Sequence, residues 1–315
     1  MTFGIFAGAF WALETVLLGV VLSRSPFVSA TRAAFLAPFV STFLHDACSA
    51  VWAGAYNTCR GKLQNVWKAL REKGGKFVML AAVIGGPVGM TGYVLAIRYM
   101  GASVGAVASA AFPAIGSVLA VLFLKEKMQW YRWLFLLATL GGVYGLSYSP
   151  QVSVENFWLG LLGVLLCSFG WGTEAVILAK CFLGNMPGSV ALQIRQTTSA
   201  LVLGAVLLPL LRGWRFTAGL FRTENTKTLL LLALAALCAT VSYLFYYKAI
   251  AKIGASKAMA LDVSYAAWAI VFTVLILRDT SVLTPLTVGC ALVVIVCGIL
   301  AAADFSSLIS KKEKE

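Results

Sequence analysis

Two apolar stretches of the chain each carry a tryptophan followed three residues later by a glutamate. The first motif is Trp11-Ala-Leu-Glu14, and the second is Trp171-Gly-Thr-Glu174. Residues three apart share one face of a helix, so each ring is expected beside its carboxylate. A carboxylate in the core of a bilayer costs about 2.5–3.5 kcal/mol, and such residues usually face a cavity or a partner. The two motifs therefore predict two walls of one polar site.

Further aromatic residues lie at helical spacing near the carboxyl end. Tyr243, Tyr246 and Tyr247 follow the i, i+3, i+4 pattern, and Tyr265 and Trp268 follow Asp262 at steps of three. A quaternary ammonium has no N–H to donate, and ring faces hold such a cation with about 0.5–2 kcal/mol each. The same tyrosines would also serve as packing residues or interface anchors, and that alternative stays open. The predicted substrate-binding residues are Trp11, Glu14, Trp171, Glu174, Tyr243, Tyr247, Tyr265 and Trp268.

Three acidic residues are candidates for proton coupling: Glu174, Glu14 and Asp262. Burial favours the protonated form of a carboxyl group and a bound cation favours the ionised form, so substrate and proton can be linked. Glu174 could equally stay ionised as the counter-charge. Asp262 could be a cavity carboxylate or a structural partner of Lys257 or Arg195. The chain has a single histidine, so a multi-histidine metal site is excluded, and we expect no metal and no cofactor.

The composition requires a membrane. Of the 315 residues, 60% are hydrophobic and 12% are charged, whereas soluble domains carry roughly 25% charged residues. The net charge of +13 does not indicate nucleic-acid binding, because the basic residues cluster between apolar runs, as topology determinants do. The seven cysteines form no CxxC motif, which argues for reduced thiols.

Hydropathy predicts ten transmembrane helices, because about 20 apolar residues cross the hydrocarbon core. The predicted spans are 3–22, 27–52, 77–98, 103–124, 131–149, 157–180, 187–212, 229–250, 257–278 and 283–303. The basic segment 53–76 is expected along the membrane surface. The distribution of Lys and Arg favours both termini in the cytoplasm, although the basic residues in 212–227 run against it.

The two halves of the chain resemble each other. Tyr93, Phe112 and Lys125-Glu126 in the first half match Tyr246, Tyr265 and Arg278-Asp279 in the second at a constant offset, and Gly101-Ala-Ser103 matches Gly254-Ala-Ser256. Because each half has an odd number of helices, the second half enters from the opposite face. The sequence thus predicts an all-α integral membrane protein built as two inverted five-helix repeats, 1–150 and 151–305, followed by a basic cytoplasmic tail, 306–315.

The stretch Phe112-Pro113-Ala … Val121-Leu-Phe-Leu124-Lys-Glu126-Lys, followed by Trp133-Leu-Phe … Gly141-Gly142-Val143, resembles the drug/metabolite transporter superfamily, EamA-like group. Within it, the chain resembles the bacterial choline permeases. The matching stretches begin at Ser25, Gly86, Trp171, Ile194, Ser242 and Val263. The resemblance implies a ten-helix secondary transporter with an aromatic site, driven by a proton gradient. Glu14 and Asp262 stand where the resemblance leads us to expect uncharged residues.

The function predicted from these observations is import of choline or a related quaternary amine across the cytoplasmic membrane by alternating access. The alternative is an exporter of amino acids or other small metabolites from the same superfamily. We do not expect an enzyme, since the sequence shows neither a nucleophile–base pair nor a metal cluster. ATP-driven transport is not expected either, because the sequence has no phosphate-binding glycine loop. The partners expected are a small cationic substrate and the lipid bilayer.

Overall fold

The computed structural model describes residues 1–28, 31–100, 110–147 and 155–303, and these residues form helices and connections without a strand. The α-helices in chain order are α1 (Thr2–Leu22), α2 (Thr31–Cys59), α3 (Leu63–Arg71), α4 (Lys73–Val83), α5 (Gly89–Met100), α6 (Phe112–Leu124), α7 (Trp130–Ser147), α8 (Phe157–Leu183), α9 (Gly188–Val202), α10 (Leu208–Leu210), α11 (Trp214–Leu220), α12 (Thr226–Ile253), α13 (Ala255–Asp262), α14 (Tyr265–Phe272) and α15 (Pro285–Ala302).

Within the described residues, eight segments are long and apolar enough to cross a membrane. They are Thr2–Leu22, Thr31–Cys59, Lys73–Ala96, Phe157–Leu183, Gly188–Leu210, Thr223–Ile253, Ala255–Leu277 and Pro285–Ala302. The other two predicted spans correspond to the shorter apolar helix α6 and to α7. Part of the span 103–124, the end of 131–149, the matched Gly101-Ala-Ser103 and the tail 306–315 lie outside the described residues. The chain is a multi-pass membrane protein, because an apolar helix satisfies its own backbone hydrogen bonds in lipid.

The basic segment after the second span differs from its prediction in extent. Helix α2 continues to Cys59, and its last turn is attached to the bundle by one side chain: Asn57 is fully buried and its Nδ2 donates to the Ser189 carbonyl at 2.9 Å. The following transmembrane segment already begins at Lys73. Only α3 remains between them as a separate amphipathic helix, with Val66 and Ala69 buried.

A π-helical turn, Ile84–Val88, joins α4 to α5 next to the centre of the bundle. Pro87 has no backbone N–H to donate, so the regular hydrogen-bond ladder is interrupted here. The Gly85 carbonyl accepts a hydrogen bond from Trp171 Nε1 at 2.9 Å. A second π turn, Leu203–Leu207, has the same feature, since Trp214 Nε1 donates to the Gly204 carbonyl at 2.9 Å. Each turn thereby fixes one indole ring.

Helices from the first and second halves pack against each other throughout. The most extensive pairs are α1 with α12, α5 with α8, α7 with α15, α6 with α8, α2 with α9 and α1 with α14. Backbones touch where α6 crosses α8, because a Cβ added at Gly172 would lie only 3.1 Å from the Gly116 Cα. Small residues permit this close approach between membrane helices.

A carboxylate joins the end of α6 to the beginning of α13. Lys125 ends α6 in the left-handed conformation (φ 56°), and the next residue, Glu126, accepts hydrogen bonds from Ala255 N at 2.7 Å, Ser256 N at 3.2 Å and Ser256 Oγ at 2.6 Å. Glu126 therefore caps the N-terminus of α13. Arg278 has the same φ of 56°, but the exposed carboxylate of the next residue binds Ser281 instead.

Candidate functional site

A cavity of about 450 Å³ lies between the two halves, and the helices that form it carry most of the predicted site. Seven of the eight predicted binding residues line this cavity: Trp11, Glu14, Trp171, Glu174, Tyr243, Tyr247 and Tyr265. Asp262, the third proton-coupling candidate, lines it as well. Trp268 does not line the cavity and instead contacts Phe272, with 6.4 Å between the ring centroids. The cavity extends to Leu22, at the C-terminal end of α1.

Aromatic rings from both halves form one wall. Trp11 stacks on Tyr265 with ring centroids 3.9 Å apart and an angle of 25° between the planes, which leaves no space for a ligand between them. Trp171 stands edge-on to Trp11 at 6.4 Å and lies 6.0 Å from both Tyr93 and Phe112. The hydrogen bond from Trp171 to the Gly85 carbonyl holds this ring in place. The free ring faces suit a quaternary ammonium.

Glu174 is paired with an arginine. Arg195 Nε donates to Glu174 Oε1 at 2.7 Å, and Nη2 donates to Oε2 at 3.4 Å, so the guanidinium holds both carboxylate oxygens. Both residues are buried, with 4% and 7% of their surface exposed. The carboxylate sits directly over Gly85, where any Cβ would overlap it. The glycine is required at this position by the close approach of the carboxylate.

The remaining donor atom of Arg195 is also engaged. Its Nη1 donates to Gln196 Oε1 at 2.7 Å and lies 3.5 Å from Asp46 Oδ2. The guanidinium carbon lies 5.0 Å from the centre of the Tyr243 ring. Gln196 in turn donates to Ser49 Oγ at 2.9 Å. The arginine is thus an ion partner of buried acids, and its nitrogens are occupied by protein acceptors.

Glu14 has a different partner. Its Oε1 lies 3.5 Å from His45 Nε2, and Thr15 Oγ1 donates to its Oε2 at 3.4 Å. The other ring nitrogen, His45 Nδ1, lies 3.0 Å from Asp46 Oδ1, and in the tautomer with its hydrogen on Nδ1 it donates to that carboxylate. An unprotonated Nε2 and an ionised Glu14 would present two acceptors to each other. Among the described residues, no lysine or arginine forms an ion pair with Glu14.

Several polar atoms of the cavity lining are buried without a hydrogen-bond partner among the described residues. They are His45 Nε2, Tyr246 Oη, Tyr247 Oη and Asp262 Oδ1. Asp262 forms no ion pair with Arg195, which is bound to Glu174 and Asp46. Buried polar atoms are nearly always satisfied, so unpartnered atoms that face a cavity are available to a ligand or to water.

The lining carries more acids than bases. It contains four carboxyl groups, those of Glu14, Asp46, Glu174 and Asp262, against one arginine and one histidine. Burying so many carboxylates is unfavourable unless protons or cations balance them. The cavity can therefore bind a cation, a proton or both, and it disfavours an anion.

Several lining residues were not predicted, among them the ionisable His45 and Asp46 and the aromatic Tyr93 and Phe112. The two aromatic residues could have been found from the resemblance between the halves, since Phe112 matches Tyr265 and Tyr93 matches Tyr246 at the constant offset. His45 and Asp46 have no such counterpart in the matched features. The sequence feature that could have indicated them is a pair of adjacent ionisable residues within an apolar helix.

Comparisons with known proteins agree with this architecture. The EamA-like transporter family matches the chain twice, over residues 1–148 and 158–303. Protein LicB of Haemophilus influenzae is 26% identical over 275 residues, which cover 85% of this chain and 86% of LicB. A solved crystal structure superposes with a TM-score of 0.69 at 17% identity, covering 96% of both chains, and so shares the fold.

Proposed function

Since the chain belongs to the EamA-like transporter family, we propose that it moves choline or a related quaternary amine across the cytoplasmic membrane. The observation that carries the substrate class is the cavity itself, which combines aromatic walls with four carboxyl groups and one already neutralised arginine. Ring faces and carboxylates attract a cation that cannot donate a hydrogen bond. The resemblance to choline permeases supports the same substrate.

Glu14 is the counter-charge of the bound cation in this proposal. Arg195 already neutralises Glu174, whereas Glu14 faces only a histidine and a hydroxyl group. The nearby atoms Tyr246 Oη, Tyr247 Oη and Asp262 Oδ1 remain free to bind the hydroxyl end of choline.

The alternative cargo, an amino acid, would bring a carboxylate into the cavity. Its natural partner is Arg195, but the Nε, Nη1 and Nη2 atoms of this residue already bind Glu174, Gln196 and Asp46. A second carboxylate would have to displace one of these buried acids, which would then remain uncompensated. The arrangement therefore favours a cation over a zwitterion or an anion.

Alternating access by two inverted five-helix repeats is the proposed mechanism. In support, each helix pair has a counterpart when the halves are exchanged: α1–α12 corresponds to α5–α8, and α6–α8 corresponds to α1–α14. The α2–α9 and α7–α15 pairs map onto themselves. Matched residues of the two repeats, Trp11 with Trp171 and Phe112 with Tyr265, meet around one cavity. A central site between inverted repeats can open to either side.

Proton coupling is the proposed energy source for import, with both termini in the cytoplasm. A continuous series of titratable groups supports it: Glu14 Oε1 lies 3.5 Å from His45 Nε2, and His45 Nδ1 lies 3.0 Å from Asp46 Oδ1. Arrival of a cation next to Glu14 stabilises its ionised form, and in this proposal the proton stays on His45, so that proton and cation are carried together; a proton that left as the cation bound would give exchange instead of import. With this topology, the cavity that reaches Leu22 extends toward the outside.

The test is uptake of labelled choline into proteoliposomes, with and without an inward proton gradient. Two tryptophan variants are compared: Trp171→Leu in the cavity wall, and Trp158→Leu, whose ring is 75% exposed on the surface of the bundle. We expect the gradient to stimulate uptake by the wild type. Trp171→Leu should reduce that uptake at least about fivefold, and Trp158→Leu should leave it unchanged.

Uptake unaffected by the gradient would reject proton coupling and retain the substrate. Absence of uptake, together with no thermal stabilisation by choline, would reject a quaternary amine as cargo. Equal activity of the two tryptophan variants would reject this cavity as the site.

A further inference from the structure

A second, larger cavity of about 940 Å³ lies at the end of the bundle that carries the amphipathic helix α3. Helices α3, α4, α6, α8 and α9 form its walls. It is separate from the cation site, because α8 presents Thr173 and Ile177 to this groove and presents Trp171 and Glu174 to the other cavity.

The floor of the groove is apolar and open to the side of the bundle. Phe77, Leu119 and Phe123 line it, and the two phenylalanines are 52% and 70% exposed. On a membrane-spanning bundle, such exposed rings face hydrocarbon. The apolar part of such a groove suits an acyl chain better than water, because water there finds few hydrogen-bond partners.

The end of the groove at the membrane surface is basic. Lys68, Lys73 and Lys180 lie along its lining, all three are exposed, and none forms an ion pair among the described residues. Glu72 is the single acidic residue in the lining. The lysines come from three different helices, so their charges converge on one place.

Helix α3 indicates where this groove lies relative to the lipid headgroups. Its Val66 and Ala69 are buried against the bundle, whereas the ring of Trp67 is 64% exposed. A short basic amphipathic helix with an exposed tryptophan is typical of the headgroup region. The three lysines therefore lie at the level of lipid phosphates, and the phenylalanines lie at the level of the first acyl carbons.

We propose that this groove binds one anionic phospholipid, with its headgroup phosphate among Lys68, Lys73 and Lys180 and an acyl chain along Phe77, Leu119 and Phe123. Basic pockets between membrane helices are suited to anionic headgroups, and each lysine contributes an electrostatic attraction that a zwitterionic lipid does not match. The site does not depend on the identity of the transported cation.

The experiment compares lipid retained by the full-length protein after extraction from vesicles of phosphatidylcholine mixed with phosphatidylglycerol, measured by native mass spectrometry. The variant is Lys68→Gln/Lys180→Gln. The control is Lys62→Gln/Lys127→Gln, which removes the same charge from lysines outside the groove lining. Melting temperatures of both variants in detergent establish that they are folded.

We expect one phosphatidylglycerol on the wild type and on the control, and a loss of at least about tenfold in the variant, since each lysine accounts for roughly a fivefold change in affinity. Equal loss in both double variants would overturn the site, as would equal retention of phosphatidylcholine by the wild type. Displacement of the lipid by inorganic phosphate alone would show an anion site without an acyl chain and would also overturn the proposal.

Discussion

Glu14 and Glu174 each follow a tryptophan by three residues, yet their surroundings differ. Glu174 is held at both oxygens by Arg195. Glu14 has no arginine, and its nearest ionisable group is His45 at 3.5 Å. Two similar motifs thus lie in different surroundings: an arginine pairs with one carboxylate and leaves the other without a basic partner of permanent charge among the described residues.

The largest expected effect is on stability and comes from removing that arginine. Arg195→Gln would leave Glu174 and Asp46 buried without a counter-charge, which costs about 3–5 kcal/mol of folding free energy. We expect a clearly lower melting temperature in detergent. The control is Arg215→Gln, because Arg215 is exposed.

Adding Glu174→Gln to the Arg195 variant should recover part of the lost stability, since one uncompensated charge is then removed. An Arg195→Gln protein that melts like the wild type would contradict the assignment of the arginine as the partner that fixes Glu174.

The next effect concerns substrate binding and separates the two glutamates. Glu14→Gln removes the available counter-charge and should weaken choline binding by about 1–3 kcal/mol, or roughly tenfold to hundredfold in Kd. Glu174→Gln should weaken binding less, because Arg195 already compensates that carboxylate. Isothermal titration of both purified variants measures the difference. A larger loss in Glu174→Gln would reverse the roles of the two residues.

The smallest effect compares two aromatic residues of α14 that the sequence did not distinguish. Tyr265 stacks on Trp11 in the cavity wall, whereas Trp268 lies outside the cavity. Tyr265→Leu should cost about 0.5–2 kcal/mol of choline binding, and Trp268→Leu should leave Kd within about twofold. An equal loss of choline affinity in the two variants would show that Trp268 also contributes to the binding site.

Much of this architecture was predictable because membrane segments obey a simple length rule. Eight spans and the positions of Trp11, Glu14, Trp171 and Glu174 follow from hydropathy and residue spacing. Spacing alone could not establish which acid Arg195 binds, because that depends on how α2, α8 and α9 meet. Asp262 was one predicted partner of Arg195, whereas in the structure the arginine binds Glu174 and Asp46.

The single histidine illustrates the same limit. From the sequence, His45 was used only to exclude a multi-histidine metal site, since one imidazole cannot form a cluster. In the fold its ring lies between the carboxyl groups of Glu14 and Asp46. The pair His45-Asp46 is visible in the sequence, but the contact with Glu14 depends on how α1 packs against α2, which no local pattern predicts.

Glu126 has a consequence for the timing of any movement at its end of the bundle. Its carboxylate binds two backbone N–H groups and one hydroxyl group at the start of α13. Separation of α6 from α13 must break all three contacts together, because a single carboxylate accepts all of them. The cap therefore adds an energetic barrier to opening at that end of the bundle.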